Sequence, residues 1–403
     1  MFKLLEGVTV LDLSTVVFGP MASQMLADFG ANVIKVEPPA GDIYRAAAPS
    51  RHPNMGAGYL NINRNKRSIA LDLKHPDGQQ LLEKLTKQAD VFLHNMRPDA
   101  VERLGLGYER IAALNNRLIY CGAVGFGSDG PYANEPAYDD IIQSMTGFAR
   151  LNVDPEAEPR LLPTILADKI AALYAVAGIL GGLVSRERTG KGMAVEAPMF
   201  ESLVSFMFTE HLNGYVFDPP IGTLRYDRVT SPHRRPYRTA DGYVATLPYS
   251  TKHWDKILRF IGRDDLAEAA WVRDAATRSQ RIGELYAVLA EAMTERTTSE
   301  WLSELKRMDI PCGPVNTLED LLDDEHLKAV GFFQSQAHPS EGAVRATRQP
   351  LRFISAPEQP DQPAPRLGEN ARVILHEYGM DNDTIDELIA AGTLVIPGDD
   401  VVD

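Results

Sequence analysis

The amino-acid sequence predicts an α/β protein whose larger part is built on a mostly parallel β-sheet, joined to a smaller α/β part. Short apolar runs of strand length alternate with helical stretches of about ten residues as far as Val124, the pattern of a parallel sheet with helices on both faces. Near Pro219-Pro220 this alternation stops and an arginine-dense, aperiodic stretch begins, which marks the start of a separate small domain.

The elements follow in order. Val8 to Leu13 is an apolar run suited to a buried strand. Gly19-Pro20 signals a turn, after which Met21, Met25, Leu26 and Phe29 share one helical face and Gly30 supplies a C-terminal cap. Ala31 to Val36 is a second strand, closed by Glu37-Pro38-Pro39. Ser68 to Leu73 reads as strand, Gly78 to Lys87 as helix, and Asp90 to His94 and Leu118 to Val124 as two further strands. Ile170 to Val184 is the longest apolar stretch, 15 residues with Gly178, Gly181 and Gly182 inside it. A membrane span needs about 18–20 such residues, so a buried helix is expected.

Beyond the two prolines, Gly222 to Gly242 carries Arg225, Arg228, Arg234, Arg235, Arg238 and His233 without helical period. Tyr243 to Leu247 is strand-like, and Trp254, Ile257, Leu258 and Ile261 mark an amphipathic helix. The small domain ends near Pro311, with Cys312 in a rigid turn between two prolines. Pro357 to Pro365 reads as a surface linker, and Ala371 to Tyr378 and Thr384 to Ala391 as closing helices.

Composition narrows the function. A net charge of −14 argues against a general nucleic-acid binder, which needs a basic surface. A polyanionic ligand would require basic residues gathered locally. Met1 to Leu5 reaches Glu6 and Gly7 before an apolar run develops, unlike a secretory leader, so neither export nor a membrane partner is expected. Two cysteines, Cys121 and Cys312, build no disulfide framework and suit a reducing cytoplasm. The nine histidines form no HExxH and no ligand pair, so no metal centre of the zinc type is expected, while carboxylate sites for harder cations stay open.

Three motifs carry chemistry. Gly125-Phe126-Gly127-Ser128-Asp129-Gly130 fits GxGxxG, but Pro131, Asn134 and Pro136 follow where a dinucleotide fingerprint opens a helix. These glycines are expected to admit close backbone approach instead. Asp168 stands at the start of the apolar helix, where it serves either as an N-terminal cap or as a nucleophile kept ionised by the helix dipole. Arg64-Asn65-Lys66-Arg67, Arg97 and Arg103 are either solvated charges or a basic cluster at the ligand-binding edge of the sheet.

An ordered series of segments resembles the family III CoA transferases, which include formyl-CoA transferase, carnitine CoA transferase and α-methylacyl-CoA racemase. The series begins with Leu5 to Leu13, Phe18-Gly19-Pro20, Leu26 to Pro38 and Gly41-Asp42. It continues with Asn65 to Lys74, Arg103 to Leu106, Gly125 to Tyr132, Arg188 to Gly192 and Ile310 to Val315, covering nearly the whole chain. The resemblance implies a Rossmann-like large domain assembled from residues 1–222 and 326–403, a small domain over 223–325, and an interlocked homodimer. The active site would then lie between the large domain of one chain and the small domain of its partner.

The resemblance also makes Asp168 the catalytic nucleophile. It places CoA against Val17, Phe18, Leu71, Lys74, Asn95, Arg97, Arg103, Tyr138 and Asp139, with Arg103 and Lys74 on phosphates and Tyr138 facing the acyl group. CoA thioester is then a substrate, and no cofactor is held permanently. In the implied reaction Asp168 attacks the donor thioester to form an acyl-aspartyl anhydride, CoA thiolate converts this to an aspartyl-CoA thioester, and an acceptor acid takes over the CoA. Backbone N–H groups of a glycine-rich loop are candidates for the oxyanion site.

The sequence departs from formyl-CoA transferases in Val17, where they carry glutamine, near Pro38, where they carry arginine, and in residues 223–238, where they carry a run of glycines. A different acid is therefore implied. The arginine-dense stretch would suit the second carboxylate of a dicarboxylate such as succinate, or else be a solvated loop. Two other readings stand beside the transferase. A 2-methylacyl-CoA racemase needs a near-neutral base where this chain has Tyr138, a poor proton shuttle at neutral pH. A non-catalytic acyl-CoA binding protein has no need of Asp168.

Overall fold

The computed structural model describes residues 1–151 and 158–397. The chain forms two compact units: Met1–Phe148, Leu161–Phe206 and Ala329–Asp403 make the larger, Ala149–Arg160 and Met207–Lys328 the smaller.

Six parallel strands form the sheet of the larger unit: β1 (Thr9–Asp12), β2 (Asn32–Glu37), β3 (Lys66–Leu71), β4 (Val91–His94), β5 (Ile119–Val124) and β6 (Met193–Pro198). Their spatial order is β3-β2-β1-β4-β5-β6, and Leu394–Val395 closes the β3 edge as an antiparallel seventh strand. Val10 pairs with Val33 on one side and with Val91 on the other. Because the order reverses between β1 and β4, the loops leaving these strands diverge and open a crevice at their C-terminal ends. Alternate residues of each strand feed two cores: Val10, Val33 and Ile119 belong to one face, Leu11, Ile34 and Tyr120 to the other. Burial on both faces explains why β4 and β5 read as continuous apolar runs.

The helix after β1, α1 (Phe18–Asp28), begins three residues earlier than the sequence suggests. Gly19-Pro20 is its first turn rather than a preceding loop, since proline gives up an N–H that has no partner there anyway. Further helices of this unit are α2 (Ala57–Ile62), α3 (Pro76–Thr86), α4 (Pro98–Leu104), α5 (Tyr108–Leu114), α6 (Asp139–Met145) and α7 (Leu166–Thr189).

The apolar stretch at 170–184 is the middle of α7, which packs on α1, β5 and β6. A Cβ at Gly178 would sit 2.6 Å from Val195, and one at Gly182 would sit 3.0 Å from Ile119, so these glycines let the helix lie close on the sheet. The helix is not buried all round, as expected from its composition. It is long and apolar enough to cross a membrane, yet half of its apolar window is buried inside the protein, and Leu173, Tyr174 and Val184 are exposed on its other side.

Two more expectations are corrected. The 357–365 segment does not run over the surface throughout: Ala364 and Pro365 are buried, and the Pro365 carbonyl accepts from Arg45 and Tyr59. Arg64, Lys66 and Arg67 are neither solvated nor gathered at the ligand edge, because they stand at the N-terminal start of β3. Arg64 pairs with Asp28 (3.0 Å), Lys66 with Asp12 (3.1 Å) and Arg67 with Glu377 (2.7 Å).

The smaller unit has a three-stranded antiparallel sheet of Tyr237–Arg238, Tyr243–Thr246 and Cys312–Pro314. Helices Thr251–Phe260, Ile282–Ala292 and Thr298–Arg307 bury Trp254, Tyr286 and Trp301 against one another and the sheet. Cys312 is thus part of a strand rather than a rigid turn. In the arginine-dense stretch, Arg228 lies over the Tyr249 ring and donates to the Tyr286 hydroxyl. Arg234, Arg235 and Arg238 are exposed, with no ion pair among the described residues.

Candidate active site

All six parallel strands end at one cavity of about 530 Å³ within the larger unit, a size suited to a small-molecule site. Leu13, Thr15, Val16 and Phe18 line it from the end of β1, Val36 to Pro38 from β2, and Leu71 to Lys74 from β3. Asn95 to Pro98 follow β4, Ala123 to Gly125 close β5, and Met199 follows β6. Ile43, Leu104, Ala133, Glu135 to Tyr138 and Asp168 complete the wall.

Of the residues assigned to substrate by resemblance, Phe18, Leu71, Lys74, Asn95, Arg97, Tyr138 and Asp168 line this cavity. Lys74 and Arg97 are exposed at its mouth, and Tyr138 is 66% exposed. Three stand elsewhere. Val17 is buried as the cap residue of α1 and does not line the cavity. Arg103 is exposed in the last turn of α4, outside the lining. Asp139 is buried behind the wall, for a reason that bears on Asp168.

Asp168 is the third residue of α7 and does not cap it; the cap position is Ile165, which makes no side-chain hydrogen bond. The cap comes from α6. Asp139 Oδ1 accepts from the backbone N–H groups of Ala167 (2.6 Å) and Asp168 (3.2 Å). A carboxylate at this end satisfies two otherwise unpartnered donors and complements the helix dipole. It also leaves the Asp168 side chain free to face the cavity.

The surroundings do not keep Asp168 ionised at all neutral pH values, as its helix position suggested. Burial, followed by repulsion from the Asp139 carboxylate, pushes its carboxyl up to about 7. If Asp168 is the nucleophile, it acts only as carboxylate, so kcat/KM of the free enzyme should fall about tenfold per pH unit below 7 and level off above it. A profile flat from pH 5.5 to 8.5 would show that Asp168 is ionised throughout.

The loop after β1 is held from beneath. Asn95 spends its whole amide on Thr15, accepting from its N–H (3.0 Å) and donating to its carbonyl (2.8 Å). Val16 has φ of +69°, a left-handed conformation that is costly for a β-branched residue. Asp42 holds it there by accepting the Val16 N–H at 3.1 Å, and buried Lys35 anchors Asp42 (3.0 Å) and the Ser14 carbonyl (2.9 Å). Val16 was not legible as a site residue, since the only cue is a backbone angle.

The glycine loop after β5 plays a different part from the one expected. A Cβ at Gly125 would collide with Ala137, so the glycine admits the segment that leads through Tyr138 into α6. The N–H groups of Gly127 and Ser128 donate to Glu201 (3.0 Å) and Glu196 (2.6 Å), which removes them as oxyanion donors. Neither cysteine lies in the cavity wall, and burial pushes the Cys121 thiol up to about 12, far from a reactive thiolate.

Comparison with known proteins agrees with this architecture. The chain is 31% identical over 399 residues to "Succinyl-CoA:glutarate CoA-transferase" of Mus musculus, covering 97% of this chain and 90% of that protein. It is 30% identical to "Succinate--glutarate CoA-transferase" of Agrobacterium fabrum, with 93% and 95% covered. A solved CAIB/BAIF family protein from Brucella suis superposes with a TM-score of 0.78 at 30% identity, covering 94% of this chain and all of that one. Residues 5–371 match the model of CoA-transferase family III, and on a match of this extent the chain belongs to that family of CoA-transferases.

Proposed function

We propose that the chain moves CoA from an acyl-CoA donor, such as succinyl-CoA, to a dicarboxylic acid through covalent states on Asp168. The observation that carries this reading is the Asp168 carboxylate, freed from capping by Asp139 and facing a cavity at the topological switch point of the sheet. Asp168 attacks the thioester carbonyl carbon, the C–S bond breaks, and CoA leaves as thiolate. The thiolate then attacks Asp168 Cγ, expelling the donor carboxylate and forming the aspartyl-CoA thioester. The acceptor carboxylate displaces CoA again to give a second anhydride, and thiolate attack on its acyl carbon releases acyl-CoA and restores Asp168. No proton is consumed over the cycle.

In this reading Lys74 and Arg97 meet CoA phosphates and Tyr138 faces the acyl end, supported by their positions in the cavity lining. A dicarboxylate is supported by the relatives named as glutarate CoA-transferases. A cytoplasmic homodimer belongs to the same reading, supported by the uncovered apolar side of α7 at Leu173, Tyr174 and Val184.

The test is a donor and acceptor screen in deuterium oxide, with succinyl-CoA and acetyl-CoA against mono- and dicarboxylates and a 2-methylacyl-CoA included. Acyl-CoA product that appears only when a C4–C5 dicarboxylate is added is the expected result. Preference for monocarboxylates would overturn the dicarboxylate assignment. Deuterium entering the α-position without any acceptor would replace the transferase by the racemase.

A further inference from the structure

Gln143, on α6 one turn after Asp139, is fully buried and does not line the cavity. Its amide is used at three points. Nε2 donates to Asp139 Oδ2 (2.6 Å) and to the Thr164 carbonyl (3.1 Å), and Oε1 accepts from the Leu162 N–H (3.0 Å). Asp139 in turn holds Ala167 and Asp168 by their N–H groups. A single side chain thus ties the incoming segment at Leu162 and Thr164 to the carboxylate that caps α7.

We propose that Gln143 is a positioning residue for the nucleophile, acting through Asp139 to fix where the first turn of α7 presents Asp168 to the thioester. This inference rests on the assignment of Asp168 as nucleophile. The physical argument is the match of donors to acceptors. A carboxylate has no hydrogen to give, so Asp139 can cap two N–H groups with one oxygen only if the other is held by a donor. The Gln143 amide is that donor, and the Thr164 carbonyl and Leu162 N–H keep it from flipping. Other charged side chains on these elements do not compete: Asp140 is exposed, and the Lys169 ammonium is turned to Thr164 Oγ1 (2.6 Å). Loss of this donor lets the capping carboxylate swing, and a displacement of about 1 Å at a reacting group costs about a hundredfold in rate.

Two substitutions of similar volume read the role with different signatures. Gln143→Met removes all three hydrogen bonds without adding charge. Its kcat should fall at least about tenfold at every pH, with KM for acyl-CoA and the CoA binding isotherm changed less than about threefold. Gln143→Glu keeps the acceptor for Leu162. Its introduced carboxyl can donate to Asp139 only while protonated, and once ionised it faces Asp139 Oδ2 and the Thr164 carbonyl with like charge. That variant should therefore lose activity relative to the wild type as pH rises: within about tenfold at pH 6 and about a hundredfold down at pH 8.5, opposite in direction to the wild-type profile.

Amide exchange of Ala167 and Asp168 gives a reading that needs no turnover, and both variants should lose protection there while the sheet keeps it. Wild-type kcat and unchanged exchange in both variants would overturn the proposal. So would loss of the fold in both, because Gln143 would then be a determinant of stability. An inactive wild type with the expected exchange loss would instead sink the nucleophile assignment and leave the positioning geometry standing.

Discussion

Asp168→Ala should lower transferase turnover by about a thousandfold or more and leave CoA binding within about threefold of the wild type. The side chain faces the cavity from the first turn of α7. Glu37, Asp72 and Glu135 also line the cavity, but from other loops, and Asp139 is engaged with two backbone N–H groups and Gln143. Lys74 and Arg97, the proposed CoA contacts, lie in loops after other strands and do not depend on Asp168. Wild-type protein incubated with acyl-CoA and then hydroxylamine or borohydride should carry a mass change on the Asp168 peptide, and the variant none.

The same substitution should raise the melting temperature, and the sign follows from the titration. The Asp168 carboxyl titrates near 7 in the fold against about 4 in the unfolded chain, so the native state favours its protonated form. The stability this contributes is present below pH 4 and is lost as pH rises through 7. Alanine therefore gains most at pH 8 and little at pH 4. Retained turnover above about one percent, or a variant less stable at pH 8 than the wild type, would contradict the assignment of Asp168 as a strained nucleophile.

The second large effect lies beneath the site. Asp12→Ala should cost about 3–5 kcal/mol of stability, enough to leave much of the protein unfolded at 37 °C. Asp12 is fully buried at the end of β1 and accepts from Ser14, Ser23 and Lys66. Burial alone would raise its carboxyl, but Lys66 and Lys35 outweigh it and hold it down at about 2. Burial dominates for Lys66, only partly offset by Asp12, and brings its ammonium down to about 8. Without Asp12 the buried Lys66 loses its carboxylate partner, while Lys35 keeps Asp42. Lys66 then sheds a proton that the unfolded chain keeps, so the variant should be least stable at low pH and recover toward pH 10. Melting curves from pH 6 to 9.5 test this, and a deficit under about 1 kcal/mol would show that the cluster is not held by Asp12.

Much of the larger unit was legible from the chain alone. The strand-length apolar runs at 8–13, 31–36, 90–94 and 118–124 overlap β1, β2, β4 and β5, because a strand buried on both faces has to be apolar along its length. The β6 strand escaped notice, since its glutamate and half-exposed residues break that pattern. The antiparallel hairpin Phe333–His338 and Gly342–Thr347 is mostly polar and gives no periodic signal either.

For the site, the ordered motifs singled out Asp168 and placed the loops that follow the strands. Sequence order determined that much because each βα turn lies at the same edge of a parallel sheet whatever its side chains do. The direction each side chain takes was left to tertiary packing. Arg64 and Lys66 read as either solvated charges or ligand-binding cations and are instead neutralised inside the protein by Asp28 and Asp12, brought from distant parts of the chain. Asp139 looked like a substrate contact and caps a helix that begins 27 residues later. The ionisation of Asp168 was decided there as well, because burial and a like charge from another helix outweigh the favourable helix end. Local sequence carries backbone propensity and hydrophobic period, whereas the partner of a buried charge depends on which segments the fold brings within hydrogen-bond reach.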